Sequence, residues 1–265
     1  MFKFKRDEKR NLESIPVGSL GMIPLQSCTE LGQKVDYYLV KWRTEREHEH
    51  KNSLAFAGYQ RDSYIIASKA PRFGSGEGKG VFKESIRGKD LFILVDVCNH
   101  SLTYTVNGYT NHKSPDDHYQ DLKRIIAAAT GKAHRINVIM PFLYEGRQHK
   151  RSTRESLDCA FMLEELYSMG IDNFITFDAH DPRVANAIPL KGFDNYITPF
   201  QFVRPLLDVE KNLIIDKETS LISFEMVLFE YFDSNLVKTS GFIEKESITS
   251  ENEVKNVVVK EDILI

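Results

Sequence analysis

Between residues 88 and 200 the chain alternates short apolar runs with amphipathic segments, and this alternation limits the folds that it can adopt. The apolar runs cover residues 91–95, 136–140 and 173–177. Runs that are apolar on both faces are typical of strands buried in a parallel sheet, and a crossover must connect each such strand to the next. The order strand, helix, strand, helix, strand therefore predicts an α/β fold with a parallel sheet and right-handed crossovers.

The two helical segments carry start and stop signals of their own. Ser114, followed by a proline and two acids, is typical of a helix N-terminus, and Gly131 is typical of a helix end. Ser152 and Glu155 have the spacing of a capping box. This spacing predicts that the second helix begins there, and Gly170 predicts where it ends.

The composition narrows the classes of protein further. The 265 residues carry a net charge of −3, which argues against nucleic acid as a partner. No apolar run reaches the ~20 residues of a membrane span, and the first residues lack the apolar core of a secretory leader, so we expect no membrane association. Three cysteines, Cys28, Cys98 and Cys159, lie far apart and predict no disulfide framework. These features predict a cytoplasmic protein.

Polar residues follow each predicted strand at the point where it ends. Asp96 follows the first strand, residues 147–151 (Arg-Gln-His-Lys-Arg) follow the second, and residues 178–181 (Asp-Ala-His-Asp) follow the third. Because open α/β sheets bind ligands at the carboxyl edge of the strands, these residues are expected to share a site. Cations beside acid and imidazole groups suit a polyphosphate with a divalent metal. The alternative, that they are solvated surface loops, stays open.

Two other stretches match no established pattern. Residues 72–80 are glycine-rich but fit neither the P-loop nor the dinucleotide-binding pattern, so by themselves they predict a flexible turn. His48 and His50 could be metal ligands, but no third ligand follows at a recognisable spacing. A solvated, charged helix end or loop is the preferred interpretation of the two histidines.

Residues 137–183 carry three features in order. An Arg147-Gln148 pair follows a strand and a proline, a basic loop leads into a helix, and the next strand ends in Asp178-x-His180. In these features the chain resembles the ribose-phosphate pyrophosphokinases, also called phosphoribosyl pyrophosphate synthetases.

Two upstream motifs extend the resemblance. Residues 73–77 are similar to the family's FxxxE loop, and residues 84–90 are similar to its ExxRGxD motif at a strand start. The resemblance covers residues 70–207, and residues 14–70 look like the longer N-terminal form of some bacterial members. It implies a Rossmann-like parallel sheet of the type I phosphoribosyltransferase kind, and a homo-oligomer.

The resemblance also implies a reaction. Family members transfer a diphosphoryl group from Mg-ATP to ribose 5-phosphate, which gives phosphoribosyl pyrophosphate and AMP. Mg²⁺ is therefore the expected cofactor, and ATP and ribose 5-phosphate are the expected partners. Carried over by position, Arg147 and His180 would be the catalytic residues. Arg147 would bind ATP together with Gln148 and Lys150, and His180 would bind the metal beside Asp178.

The adenine would be bound from a neighbouring subunit. By the resemblance, Phe73, Ser75 and Glu77 would reach the adenine of the next subunit's nucleotide, so residues 72–80 become a candidate binding loop. This arrangement requires an oligomer, formed either by identical chains or with a paralogue.

The last part of the chain departs from the family's pattern. We expect an N-terminal pyrophosphokinase-like domain over residues 1–207, which is the ATP side, and an incomplete second domain of the phosphoribosyltransferase kind over residues 208–265. Residues 222–226 lack the glycines that would let backbone amides approach a pyrophosphate. Residues 257–262 resemble the strand and acidic pair of the family's ribose-phosphate loop, and the sequence stops three residues later.

Three hypotheses follow. The chain is a ribose-phosphate diphosphokinase whose activity is weak or absent, or it is a non-catalytic nucleotide-binding or regulatory homologue that joins an active synthetase oligomer, or it is a truncated product that folds poorly. The intact residues of the ATP side favour the first two hypotheses. The missing glycines favour the second over the first.

Overall fold

A computed structural model describes residues 17–48 and 61–198 of the chain. The helices are α1 (Thr29–His48), α2 (Pro115–Ala129) and α3 (Asp158–Ser168). In chain order the strands are β1 (Ser19–Pro24), β2 (Ser68–Lys69), β3 (Val81–Phe82), β4 (Lys89–Leu94), β5 (Thr103–Val106), β6 (Tyr109–His112), β7 (Arg135–Ile139), β8 (Asn173–Phe177) and β9 (Gly192–Tyr196). The elements from β1 to β8 belong to one compact unit, Met1–Asn195. The predicted domain boundary after residue 207 lies outside the described residues and stays a prediction.

The main sheet has five strands in the order β1-β4-β7-β8-β9, and β1, β4, β7 and β8 pair in parallel. The α/β class with a parallel sheet is therefore confirmed. The three predicted strands correspond to β4, β7 and β8, with shifts of no more than two residues at their ends. Two short antiparallel pairs, β2 with β3 and β5 with β6, lie outside the main sheet.

The helices pack on the sheet through two apolar clusters. The larger cluster joins α2 and α3 to the strands and contains fully buried residues of both helices, such as Leu122 and Leu163. A smaller cluster of Met22, Cys28 and Leu94 packs against Val35 of α1. None of the helices within residues 17–48 and 61–198 has the length and apolar character that a membrane crossing requires.

The two helix starts that the sequence predicts have different outcomes. Ser114 and Asp117 form a reciprocal capping box at the start of α2, so that start is confirmed. The start of α3 near Ser152 is wrong, because the helix begins at Asp158. The Glu155 carboxylate does accept from the backbone amide of Ser152, but in a turn before the helix. The backbone amide of Cys159 donates to the carbonyl of Gln148 in the preceding loop, at 3.4 Å.

A buried polar network joins the two central strands of the sheet. The Asp90 carboxylate accepts from Arg135 through Nε at 2.8 Å and Nη2 at 2.5 Å. Asn137, which is 2% exposed, donates to Asp90 at 3.0 Å and to the carbonyl of Leu91 at 2.9 Å. Because β7 lies opposite β4 with Asp90 facing Arg135, the network forms only in this register.

The network gives a stability prediction. The substitution Asn137→Leu nearly conserves side-chain size but leaves the Asp90 carboxylate and the Leu91 carbonyl one donor short. We expect the free energy of unfolding in urea to fall by about 1–3 kcal/mol. The control is Asn111→Leu on the exposed strand β6, which should change it by no more than about 0.5 kcal/mol. Equal losses in the two variants would contradict a special role for the network.

Candidate functional site

The loops that follow β7 and β8 meet at the carboxyl edge of the sheet. His149 follows β7, and its Nε2 lies 3.2 Å from the Oδ2 atom of Asp181, which follows β8. The rings of His149 and His180 lie 5.2 Å apart between centroids. The structure thus brings together two of the three polar loops that the sequence placed at this edge.

We call His149, His180 and Asp181 the histidine cluster, and Asp181 is the member that Arg183 holds in place. Its carboxylate accepts from the guanidinium of Arg183 at Nε (2.9 and 3.0 Å) and at Nη2 (2.5 Å), and from the Arg183 backbone amide at 2.8 Å. These bonds hold the pKa of Asp181 well below its usual range. A charged carboxylate can accept a hydrogen bond from an N–H group, and Nε2 of His149 lies 3.2 Å from the Oδ2 atom of Asp181.

Each histidine of the cluster has one buried nitrogen without a partner. The Nδ1 atoms of His149 and His180 are shielded from solvent and form no hydrogen bond with any described residue. Buried polar atoms are nearly always bonded in folded proteins. Beside them, Asp178 is exposed and has a left-handed backbone conformation, with a φ of 44°. Such backbone conformations are concentrated at binding and catalytic sites, so the cluster has the character of a ligand site.

The loop after β4 lies at the same edge of the sheet, and Arg147 influences the thiol of its residue Cys98. The Asp96 carboxylate accepts from the backbone amide of Cys98 at 2.8 Å. Burial and the Asp96 charge raise the pKa of the exposed Cys98 thiol, whereas the nearby Arg147 lowers it. Arg147, from the loop after β7, therefore lies within electrostatic range of the loop after β4.

The cations of the basic loop face solvent. Arg147 and Lys150 are exposed, and neither forms an ion pair within the described part of the chain. Gln148 is half-buried, and its backbone amide donates to the carbonyl of Glu145 at 2.9 Å. The loop thus presents two free cations next to the histidine cluster.

The glycine-rich loop is a turn whose two ends contact α2. The Arg72 side chain, 10% exposed, lies 3.1 Å from Asp117 and 3.3 Å from Asp121 of α2, and its guanidinium lies 4.9 Å from the Tyr104 ring centroid. Gly80 packs on α2, since a Cβ atom there would lie 2.3 Å from the carbonyl oxygen of Arg124. The base of the loop therefore packs on α2, and the predicted turn is confirmed at residues 74–75, whereas its flexibility stays a prediction.

The tip of the loop carries the three residues expected to reach adenine. Phe73 is 51% exposed, and Ser75 donates to the Glu77 carboxylate at 2.8 Å. A Cβ atom added to Gly74, between them, would meet nothing within 4 Å. No hydrogen bond, ion pair or ring contact joins this tip to His149, His180 or Asp181 within residues 17–48 and 61–198 of one chain.

The comparisons with known proteins agree on one family. The model for the N-terminal domain of ribose phosphate pyrophosphokinase matches residues 20–170. The chain is 27% identical to ribose-phosphate pyrophosphokinase B of Dictyostelium discoideum, an alignment that covers 57% of this chain and 43% of that protein. It is 34% identical to ribose-phosphate pyrophosphokinase 1 of Schizosaccharomyces pombe, with 69% of this chain and 44% of that protein covered. The chain thus spans less than half the length of both relatives.

The chain belongs to the ribose-phosphate pyrophosphokinase family. Its fold is shared with phosphoribosylpyrophosphate synthetase from Mycobacterium smegmatis, at a TM-score of 0.52 and 20% identity, over 72% of this chain and 52% of that one. The resemblance found in the sequence and the Rossmann-like fold class are confirmed.

The side chains at this edge of the sheet fit a magnesium site that is completed by substrate phosphates. The described residues contain no group of three or more His, Cys, Asp or Glu side chains that could hold a metal ion by themselves. Mg²⁺ usually needs only one or two carboxylates, because substrate phosphates and waters complete its shell. The exposed Asp178 and the unpartnered Nδ1 of His180 fit such a shared site.

The resemblance gave no individual role to two residues of the candidate site. His149 lies in the basic run and Asp181 directly follows His180, so both are visible in the sequence. Nothing local indicates that they pair, since the pair forms only when the ends of β7 and β8 are adjacent. The parallel order of the strands was the signal that could have indicated it.

Thiol reactivity tests whether the three loops meet. Burial raises the pKa of Cys28 and of Cys159 to about 12, so Cys98 alone should react in the native protein. With the neutral reagent 4,4′-dithiodipyridine, we expect Arg147→Ala to slow the reaction of Cys98 and Asp96→Asn to accelerate it, each several-fold. The rate is followed by the absorbance of released thiopyridone.

The control is Lys132→Ala, on an exposed lysine that precedes β7 at the opposite edge of the sheet and should leave the rate unchanged. If Cys98 reacts at the same rate in Arg147→Ala as in the wild type, the loops after β4 and β7 do not lie close together.

Proposed function

We propose that this chain provides the ATP side of a ribose-phosphate diphosphokinase, which transfers a diphosphoryl group from Mg-ATP to ribose 5-phosphate. The observation that carries the proposal is the pair of buried, unpartnered Nδ1 atoms of His149 and His180, beside the free cations of the basic loop. Membership of the pyrophosphokinase family supports the reaction class.

The triphosphate would bind between the loops after β7 and β8. The guanidinium of Arg147 offers donors in a fork that matches phosphate oxygens, and Lys150 adds a point charge. Gln148 would supply a neutral hydrogen bond from the same loop. The hydrogen bonds from Arg183 to Asp181 and the contact between Asp181 and His149 form without a ligand, so the site is preorganised.

The reaction needs positioning more than covalent chemistry from the protein. The C1 hydroxyl oxygen of ribose 5-phosphate attacks the β-phosphorus and releases its proton. The bond between the β-phosphorus and the oxygen that bridges it to the α-phosphorus breaks, and AMP leaves with that oxygen. A bound Mg²⁺, held beside Asp178 and His180, would neutralise charge on the phosphate oxygens. Arg147 and His180 would hold the β-phosphate in line with the attacking oxygen.

The adenine would be bound by a second subunit. The tip with Phe73, Ser75 and Glu77 is exposed, and within the described residues no hydrogen bond, ion pair or ring contact joins it to the histidine cluster of its own chain. An exposed aromatic ring beside a paired hydroxyl and carboxylate suits a purine base, which stacks and forms hydrogen bonds. We therefore propose an oligomer of this chain, or a mixed oligomer with a paralogue. The three free cysteines fit a cytoplasmic location.

A second candidate function rests on the residues beyond 198. Residues 222–226, outside the described part of the chain, lack the glycines of a pyrophosphate loop. This favours a nucleotide-binding homologue that joins an active synthetase without catalysing the reaction itself.

Nucleotide binding is tested by thermal unfolding. At 100 times the dissociation constant, Mg-ATP should stabilise the protein by about 2.7 kcal/mol through linkage. Arg147→Ala removes charge-assisted bonds worth about 1.5–3 kcal/mol, so it should abolish most of the rise in Tm at the same concentration. Lys132→Ala should keep the full rise. An undiminished shift in the Arg147 variant would remove Arg147 from the site.

Catalysis is tested by AMP release from Mg-ATP, measured with and without ribose 5-phosphate. The diphosphokinase proposal expects AMP that depends on the sugar phosphate and disappears in Arg147→Ala. A protein that binds Mg-ATP but releases no AMP would contradict this reaction and favour the non-catalytic homologue.

A further inference from the structure

A cavity of about 400 Å³ lies where β1 ends, beside the candidate site but lined by other residues. Its walls come from three segments: the residues that follow β1, the β2 region and the start of α2. They are Pro24, Leu25, Gln26, Ser27, Thr29, Ser68, Lys69, Ala70, Pro71, Lys113, His118 and Asp121. The volume falls within the range of pockets for small molecules. None of these residues has a role in the proposed transfer reaction.

The cavity wall contains a buried ion pair. Lys113 and Asp121 have side chains that are 5% and 6% exposed, and their Nζ and Oδ2 atoms lie 2.9 Å apart. The Lys113 ammonium has three donors, and within the described residues it uses one of them, on Asp121. Two donors of a buried cation are therefore left for another acceptor.

The charges around Asp121 do not balance. Its carboxylate also lies 2.7 Å from Arg124 and 3.3 Å from Arg72, and Arg72 contacts one further carboxylate, Asp117, at 3.1 Å. Three cations therefore share two carboxylates in a region that is largely removed from water. Uncompensated buried charge is costly, so one additional negative charge would be favourable here.

Lys113 needs a hydrogen-bond acceptor from a ligand, whereas His118, which is 2% exposed, needs a hydrogen-bond donor. Its Nε2 lies 2.7 Å from the carbonyl oxygen of Asn99, and a carbonyl only accepts, so Nε2 carries the proton. Burial lowers the pKa of His118, which keeps the ring neutral near pH 7. Its Nδ1 is then a hydrogen-bond acceptor, and no described residue donates to it.

We propose that the cavity binds a small hydroxycarboxylate. Its carboxylate takes the free donors of Lys113, and its hydroxyl group donates to Nδ1 of His118. A monocarboxylate supplies the single negative charge that the ion cluster lacks, whereas a phosphate dianion would exceed it. The apolar part of the wall, formed by Pro24, Leu25 and Pro71, fits a short carbon skeleton.

The test is a comparison of L-lactate with acetate, which has the carboxylate but not the hydroxyl group. Thermal unfolding of the full chain is measured at constant ionic strength with chloride as the balancing anion. At ten times its dissociation constant, L-lactate should raise the Tm by roughly 3–6 °C, and acetate at the same concentration should raise it less. Inorganic phosphate is run in parallel.

Two variants separate the two contacts. Lys113→Met should abolish the shift with both acids, whereas Lys132→Met, on an exposed lysine outside the cavity, should retain it. His118→Leu should make the shifts with L-lactate and acetate equal. Because His118 is buried, the ¹⁵N resonances of histidine in the wild-type protein give a second readout, in which L-lactate should shift Nδ1 of His118 and acetate should not.

Equal shifts in wild-type protein and in Lys113→Met would overturn the proposal, as would a response to phosphate alone. The absence of any shift with L-lactate, together with unchanged ¹⁵N resonances, would do the same. The result is independent of the nucleotide site, since Arg147→Ala should respond to L-lactate like the wild type.

Discussion

The register of the two central strands depends on one carboxylate. Asp90 accepts from Arg135 and Asn137 of the neighbouring strand, and it can do so only while it lies opposite Arg135. A slip of one residue would turn the apolar side chains of β7 to the other face and leave the carboxylate buried without donors. Each strand carries one loop of the candidate site at its carboxyl end, so this register also decides which loops meet.

Two shared carboxylates organise the two binding regions in the same way. Asp181 is held by Arg183 and fixes His149, and Asp121 is surrounded by Lys113 and two arginines. In both places the carboxylate contacts a side chain that keeps further polar atoms without a partner among the described residues: Nδ1 of His149, and two N–H groups of Lys113. Those atoms are then available to a ligand in a preset geometry, which lowers the entropic cost of binding.

The central strands and the start of α2 could be predicted because their signals are local: an apolar run, or a serine three residues before an acid. The strand β1 was not predicted, because Gly21 interrupts its apolar pattern. A glycine is needed there because of a residue distant in the sequence: a Cβ atom at position 21 would lie 2.4 Å from the side chain of Ile66. The start of α3 and the pair of His149 with Asp181 likewise depend on contacts between loops far apart in the sequence.

The left-handed backbone of Asp178 restricts how this position can change over generations. Asparagine and glycine tolerate that conformation best, and both are one nucleotide away from an aspartate codon. A copy of the gene released from selection can therefore lose this carboxylate in a single step while the backbone stays relaxed. Under the role proposed for Asp178 at the metal, such a lineage would keep its fold after losing the reaction, and its sequence would still carry the other motifs of the resemblance.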